Sequence, residues 1–136
     1  MKKHQKIKNC DRLLLISTPF ILASSIWLEA TGSRGIVPVW LHLVLGIVFF
    51  VLTGWHFYLH LGKLGWISRF RTLKSRVTKI LSILALLTLL TAVIATMHWL
   101  VSLTHSGIGA WHGKIGFLML AVVIGHTVKR FTFFRH

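Results

Sequence analysis

Residues 40–60 read WLHLVLGIVFFVLTGWHFYLH, an apolar run that nonetheless carries His42 and His56. A second apolar run, residues 111–130, carries His112 and His126. In both runs the histidines are fourteen residues apart, and a glycine follows the first by four, Gly46 and Gly116. The pattern H-x3-G-x9-H therefore occurs twice in 136 residues. An α-helix turns about 100° per residue, so fourteen residues fall roughly 40° short of four turns. Both histidines of a run then lie near one face, about 21 Å apart along the axis. A glycine one turn after the first histidine removes a side chain near that face, which would let a flat macrocycle lie close to the backbone.

The rest of the chain says what kind of solvent these runs occupy. The sequence is 54% hydrophobic with a mean hydropathy of +0.73. Its only acidic residues are Asp11 and Glu29, against sixteen Lys plus Arg, for a net charge of +14. Such a charge first suggests nucleic acid. A soluble nucleic-acid binder, however, does not carry uninterrupted apolar runs near twenty residues long; such runs read as transmembrane helices. The single cysteine, Cys10, allows no intrachain disulfide, no CxxC zinc site and no C-x-x-C-H attachment of haem. A haem here would be held by axial ligands and packing alone.

Taken in order, the chain resolves into one domain spanning 1–136, with four predicted helices at about 13–30, 38–61, 78–103 and 109–130. Residues 1–12 form a basic, polar start. The apolar run behind them resembles the middle of a signal peptide. It is rather long, and no A-x-A site follows, so it reads as a retained first helix. Pro19 sits inside it and is of a kind that neighbouring helices tolerate in membranes. Residues 29–37 (EATGSRGIV) read as a short exposed loop, and Pro38 suits the first turn of the next helix. Gly62 and Gly65 mark the end of that helix, before a basic loop. Residues 104–109 (THSGIG) read as a turn, and the final six (FTFFRH) as a short tail. Short connections give an all-α membrane protein, a four-helix up-down bundle.

Charge orients it. With the N-terminus inside, Lys2, Lys3, Lys6, Lys8 and Arg12 lie inside, as do Lys63, Arg69, Arg71, Lys74, Arg76, Lys79, Lys129, Arg130 and Arg135. Only Arg34 and Lys114 fall outside. The positive-inside rule then places both termini in the cytoplasm, in an inner-membrane, multi-pass arrangement. The basic balance is chiefly topogenic, with some attraction to anionic lipid, and no nucleic-acid partner is expected. In this topology the second and fourth helices run parallel, both from outside to inside. His42 and His112 then share the outer level, and His56 and His126 the inner level. Matched spacing becomes matched depth.

A single histidine near a helix end is most often an interfacial residue. Intramembrane ionisable groups are costly and mark functional sites by default. Four histidines at matched intervals on parallel helices point to ligation of two haems. Neutral imidazole is a good iron ligand. Two histidines per iron fill both axial positions and leave no site for dioxygen, which suits single-electron transfer. Two such haems at opposite levels make an electron path across the bilayer.

The other polar and aromatic residues carry less. His60 is one turn beyond His56, but its equivalent on the fourth helix is Arg130. His98 stands near the outer end of the third helix; lining the outer haem, binding a quinone headgroup and simple interfacial placement all remain open for it. His105 falls in a loop, and His4 and His136 are terminal. Trp40, Trp55, Trp99 and Trp111 lie near helix ends, as an aromatic belt does. Arg34 and Lys114, the only outer cations, are candidates for haem propionates. Lys63, Lys129 and Arg130 are weaker candidates at the inner level. Thr53, Thr127 or backbone carbonyls are the candidates for orienting the imidazoles.

Residues 41–66, LHLVLGIVFFVLTGWHFYLHLGKLGW, resemble the flavinylation-associated cytochrome family of small four-helix membrane cytochromes. Those proteins typically show H-x3-G, then an H-x3-H ending and a nearby tryptophan; His42, Gly46, His56, His60 and Trp66 match. The fourth helix supplies His112, Gly116 and His126 but has Arg130 where a second H-x3-H would end. The likeness covers about residues 13–130. The same bis-histidine spacing also occurs in the b-type cytochromes of quinol-oxidising complexes. The resemblance implies two b haems, and electron transfer between a quinol pool or cytosolic donor and an extracytoplasmic flavoprotein.

No nucleophile–base pair, carboxylate pair or phosphate loop is legible, so no catalytic residue is assigned. Any catalysis would be quinone oxidation or reduction at a haem edge. Two other functions compete with a cytochrome. One is a non-redox membrane anchor or assembly subunit of a larger complex. The other is a metal-ion carrier, disfavoured because the spans lack carboxylates to compensate charge.

Overall fold

The computed structural model describes residues 3–62 and 75–134. Four helices make up nearly all of them: α1 (Lys3–Ala30), α2 (Ile36–Leu61), α3 (Arg76–Ser102) and α4 (Gly107–Phe134). All four are long and apolar enough to cross a membrane. No strand occurs among the described residues. The expected all-α, four-span architecture is what the chain adopts. The basic loop expected after Gly62, with Lys63, Gly65 and Trp66, falls largely outside the described residues.

Two helix boundaries differ from expectation. α1 begins at Lys3 rather than near Leu13, and α4 runs to Phe134 rather than stopping near Arg130. No Gly or Pro interrupts either segment, and at the N-terminal end Lys, Gln, Asn and Arg have ordinary helix propensity. Hydropathy detects the part of a helix that needs lipid, not the turns that emerge from it. At 28 residues, α1 is about 42 Å long, against a hydrocarbon core of about 30 Å. Pro19 lies within α1, whose helical assignment is continuous through it.

The chain divides into two compact units, residues 1–72 and 73–136, each one helical hairpin. In the first, α1 and α2 pack antiparallel: Cys10 Sγ lies 3.6 Å from the Leu52 carbonyl, and Ser24 Oγ 3.1 Å from His42 Nδ1. The reversal between them takes five residues. Gly32, Ser33 and Gly35 all have positive φ there, and Gly35 (φ 96°, ψ 141°) caps α2 in a conformation that only glycine adopts readily. Pro38 follows within the first turn of α2, where its missing N–H costs nothing. At the far end, Gly62 (φ 79°) returns its N–H to the Tyr58 carbonyl at 3.0 Å and closes the helix.

The second unit is built the same way. The Ser75 hydroxyl caps the start of α3 by accepting the Thr78 N–H at 3.4 Å. Leu103 ends α3 in the left-handed region, its N–H on the Trp99 carbonyl at 2.8 Å. Ser106 caps α4 by accepting the Gly109 N–H at 3.0 Å.

Each hairpin is held by a thin seam. Cys10, Ile21, Ser24, Phe49 and Leu59 are buried in the first, and Ala85, Thr88, Met119 and Leu120 in the second. Small and hydroxyl residues recur, as expected where helices associate by close packing rather than by a hydrophobic force that lipid cannot supply. The Ser24 and Thr88 hydroxyls donate to carbonyls of their own helices, Ile21 and Leu84. Among the described residues, no buried side-chain nitrogen or oxygen lacks a hydrogen-bond partner. Outside the seams the surface is apolar: no more than 17% of any helix's most apolar window is buried. Val51, Met97 and Val128 stand outward, each more than 60% exposed. That much uncovered hydrocarbon is untenable in water and ordinary in a bilayer. The protein is a multi-pass membrane protein.

Candidate functional site

Burial separates the histidines. His42, His56, His112 and His126 are each half-buried, whereas His4, His60, His98 and His105 are exposed. The four predicted ligands are therefore the four that the helix seams draw in, among the described residues.

Three of them are held by the partner helix of their own hairpin. His56 Nδ1 lies 2.8 Å from Asp11 Oδ1 on α1. His42 Nδ1 lies 3.1 Å from Ser24 Oγ, also on α1. His112 Nδ1 lies 3.2 Å from the Thr88 carbonyl and 3.3 Å from Thr91 Oγ1, both on α3. A carbonyl and a carboxylate only accept, so His112 and His56 donate from Nδ1. The Ser24 hydroxyl, which also lies 2.9 Å from the Ile21 carbonyl, can act as donor or acceptor toward His42. A metal-ligating histidine is oriented in this manner, its second nitrogen giving its hydrogen to a carbonyl, hydroxyl or carboxylate.

The two hairpins thus repeat one design. The first histidine of each motif sits near the closed end, its Nδ1 on a hydroxyl-bearing turn of the preceding helix. One turn on, Gly46 and Gly116 face that same helix. A Cβ at Gly46 would stand 4.0 Å from Ile21 Cδ1, and one at Gly116 3.9 Å from Thr88 Cγ2. Both are ordinary contact distances, so hairpin packing does not itself demand glycine at either position.

The orienting partners differ from those expected. Thr53 donates to the Phe49 carbonyl of its own helix at 2.8 Å, while Ser24, Asp11, Thr88 and Thr91 orient the rings. Backbone carbonyls had been among the candidates; Ser24 and Asp11 had not. Nothing in a hydropathy profile marks them. Only the register of α1 against α2 shows that they stand opposite His42 and His56. Asp11 stands on α1 ahead of the apolar stretch that begins at Leu13. Its side chain is 18% exposed. Cys10, buried completely beside it, packs the same seam.

His60 lies closer to the site than its asymmetry suggested. Its ring centroid is 4.4 Å from that of His56, and one ligand atom each from Asp11, His56 and His60 fall within 4.8 Å of one another. His98 Nδ1 is tied to Ser102 Oγ at 3.1 Å at the exposed end of α3. The His105 ring folds over the start of α4, where a Cβ on Gly109 would meet its Cε1 at 3.3 Å. Of the two cations expected outside, Arg34 is exposed in the connection between α1 and α2, and Lys114 Nζ lies 5.4 Å from the Trp111 ring centroid, a cation–π contact. Trp40, Trp55 and Trp111 are exposed, as an interfacial belt requires. Lys129 is exposed on the last turns of α4. No family model, curated protein or solved structure matches this chain.

Proposed function

We propose that this chain is a dihaem b-type cytochrome that carries electrons across a bacterial-type inner membrane. His42 and His112 ligate one haem and His56 and His126 the other, paired as their equal spacing suggests. The observation that carries this reading is the shared orientation of the rings: three of the four set Nδ1 against an oxygen of the neighbouring helix. The donor set fits haem iron, being imidazole without thiolate. When bound, a haem held by two histidines would supply single-electron exchange. The chain's part is to hold each imidazole at one angle, to set its donor strength through the Nδ1 partner, and to exclude water through the apolar helix faces. Gly46 and Gly116 leave backbone uncovered beside the first ligand of each hairpin. Arg34 and Lys114 are available to propionates at the outer level.

The resemblance to flavinylation-associated cytochromes supports an electron donor in the quinol pool or cytosol and an extracytoplasmic flavoprotein as acceptor. The purified protein should be red, with a reduced-minus-oxidised b-type spectrum and about two haems per chain. A colourless, folded preparation from haem-replete cells would sink the proposal.

The glycines give a second expected result. Gly46→Ala and Gly116→Ala should each leave the fold intact or slightly firmer, since alanine gains about 0.8–1 kcal/mol of helix propensity over glycine. Haem retention in detergent tells whether these positions matter to the macrocycle: the added methyl meets the neighbouring helix only at ordinary contact distance, so a fall in retention would show that the haem needs the bare backbone beside His42 and His112. Thermal unfolding and pyridine haemochrome assay on the same samples separate the two effects.

The clustering of Asp11, His56 and His60 favours one other reading, a divalent transition-metal site of two imidazoles and a carboxylate. Iron or zinc bound without porphyrin would establish it in place of the haem nearest His56.

A further inference from the structure

We infer that Asp11 is a positioning residue that lowers the redox potential of the haem ligated by His56. The inference rests on the dihaem reading and adds to it an asymmetry between the two centres. The chain has only two acidic residues, and one of them stands against a proposed ligand. His42 and His112 set Nδ1 against neutral oxygens at 3.1–3.3 Å. His56 gives its Nδ1–H to a carboxylate at 2.8 Å. Hydrogen bonds to an ionised acceptor are shorter and about twice as strong as neutral ones. The Asp11 side chain is largely withdrawn from solvent, which screens the interaction less than at an exposed surface.

The chemical consequence is directional. A carboxylate that pulls on Nδ1–H pushes electron density through the ring to Nε2. A more basic Nε2 stabilises ferric over ferrous iron, so the couple moves to lower potential. At His42 the oxygen against Nδ1 is the uncharged Ser24 hydroxyl, and at His112 a carbonyl and a hydroxyl. The buried Cys10, whose Sγ lies 3.6 Å from the Leu52 carbonyl, helps set the register that turns Asp11 towards His56.

The test is an optical potentiometric titration of the full-length haem-loaded protein, in which one electron from the mediated reductant converts ferric to ferrous iron at each centre. Asp11→Asn keeps the shape and removes the charge. One wave is expected to move upward by about 59 mV for each tenfold loss of preference for ferric iron, the other staying in place. Two haems retained with no wave moved, or with both moved equally, would overturn the inference. Should Asp11→Asn lose one haem, Asp11→Glu decides. Recovery of that haem in the glutamate variant supports a carboxylate acting on His56, and its continued absence overturns the inference. A wild-type protein without haem would instead sink the dihaem reading on which all this stands.

Discussion

Replacing His42 with alanine is expected to remove one haem and leave the other. Half the absorbance of the reduced b-type band should disappear, and the surviving wave should be the one that responds to Asp11→Asn. The pairing gives a sharper form of the result. His112→Ala should reproduce the loss, and His42→Ala with His112→Ala should lose no more than either alone, because both act on the same iron. His42→Ala with His56→Ala should lose both haems. Residues that act as a unit are non-additive and independent ones add, so four proteins and one pigment assay read the ligand pairing directly. Neither single variant should unfold its hairpin. His42 and His112 are half-buried at the edge of a seam whose centre is Phe49 in the first unit and Met119 with Leu120 in the second. Retention of both haems by both single variants would refute the ligand assignment.

The second large effect concerns orientation. A reporter enzyme active only outside the cytoplasm should work when inserted at residues 31–35 or 103–106, and fail when inserted at residues 63–74 or fused after Phe134. The difference should be nearly all-or-none, since fourteen of the sixteen cations fall on one side of the four-span arrangement and each basic residue near an anionic surface is worth about 1 kcal/mol. The 31–35 and 103–106 connections contain one Lys or Arg between them, Arg34. Active fusions at the C-terminal end would invert the topology, and with it the assignment of His42 and His112 to the outer level.

How much could be read before folding is clearest at particular residues. The four spans were legible because lipid imposes one rule along the whole chain, and apolar length reports it directly. Gly62 was legible as punctuation, and residues 29–37 and 104–109 as connections, because turns and caps are local demands. The first turns of α1 were not, because Lys, Gln and Asn sit equally well in a helix or a polar tail, and only packing against α2 distinguishes the two. His42, His56, His112 and His126 stood out by interval alone. Burial separates them from His60, His98 and His105, and burial belongs to the seam and not to the spacing.

The sequence by itself determined that this chain is an all-helical membrane protein with four histidines at two repeated intervals, since periodicity, hydropathy and charge sidedness are properties of position along the chain. The tertiary structure alone decided what stands opposite each histidine. Asp11 reached His56 across forty-five positions, Ser24 reached His42 across eighteen, and Thr88 reached His112 across twenty-four. Those pairings follow from the register of two antiparallel helices, which turn geometry and small buried side chains set and no local pattern encodes. That register turned residues 40–60 from an apolar run with histidines in it into a helix whose His42 meets a hydroxyl and whose His56 meets a carboxylate.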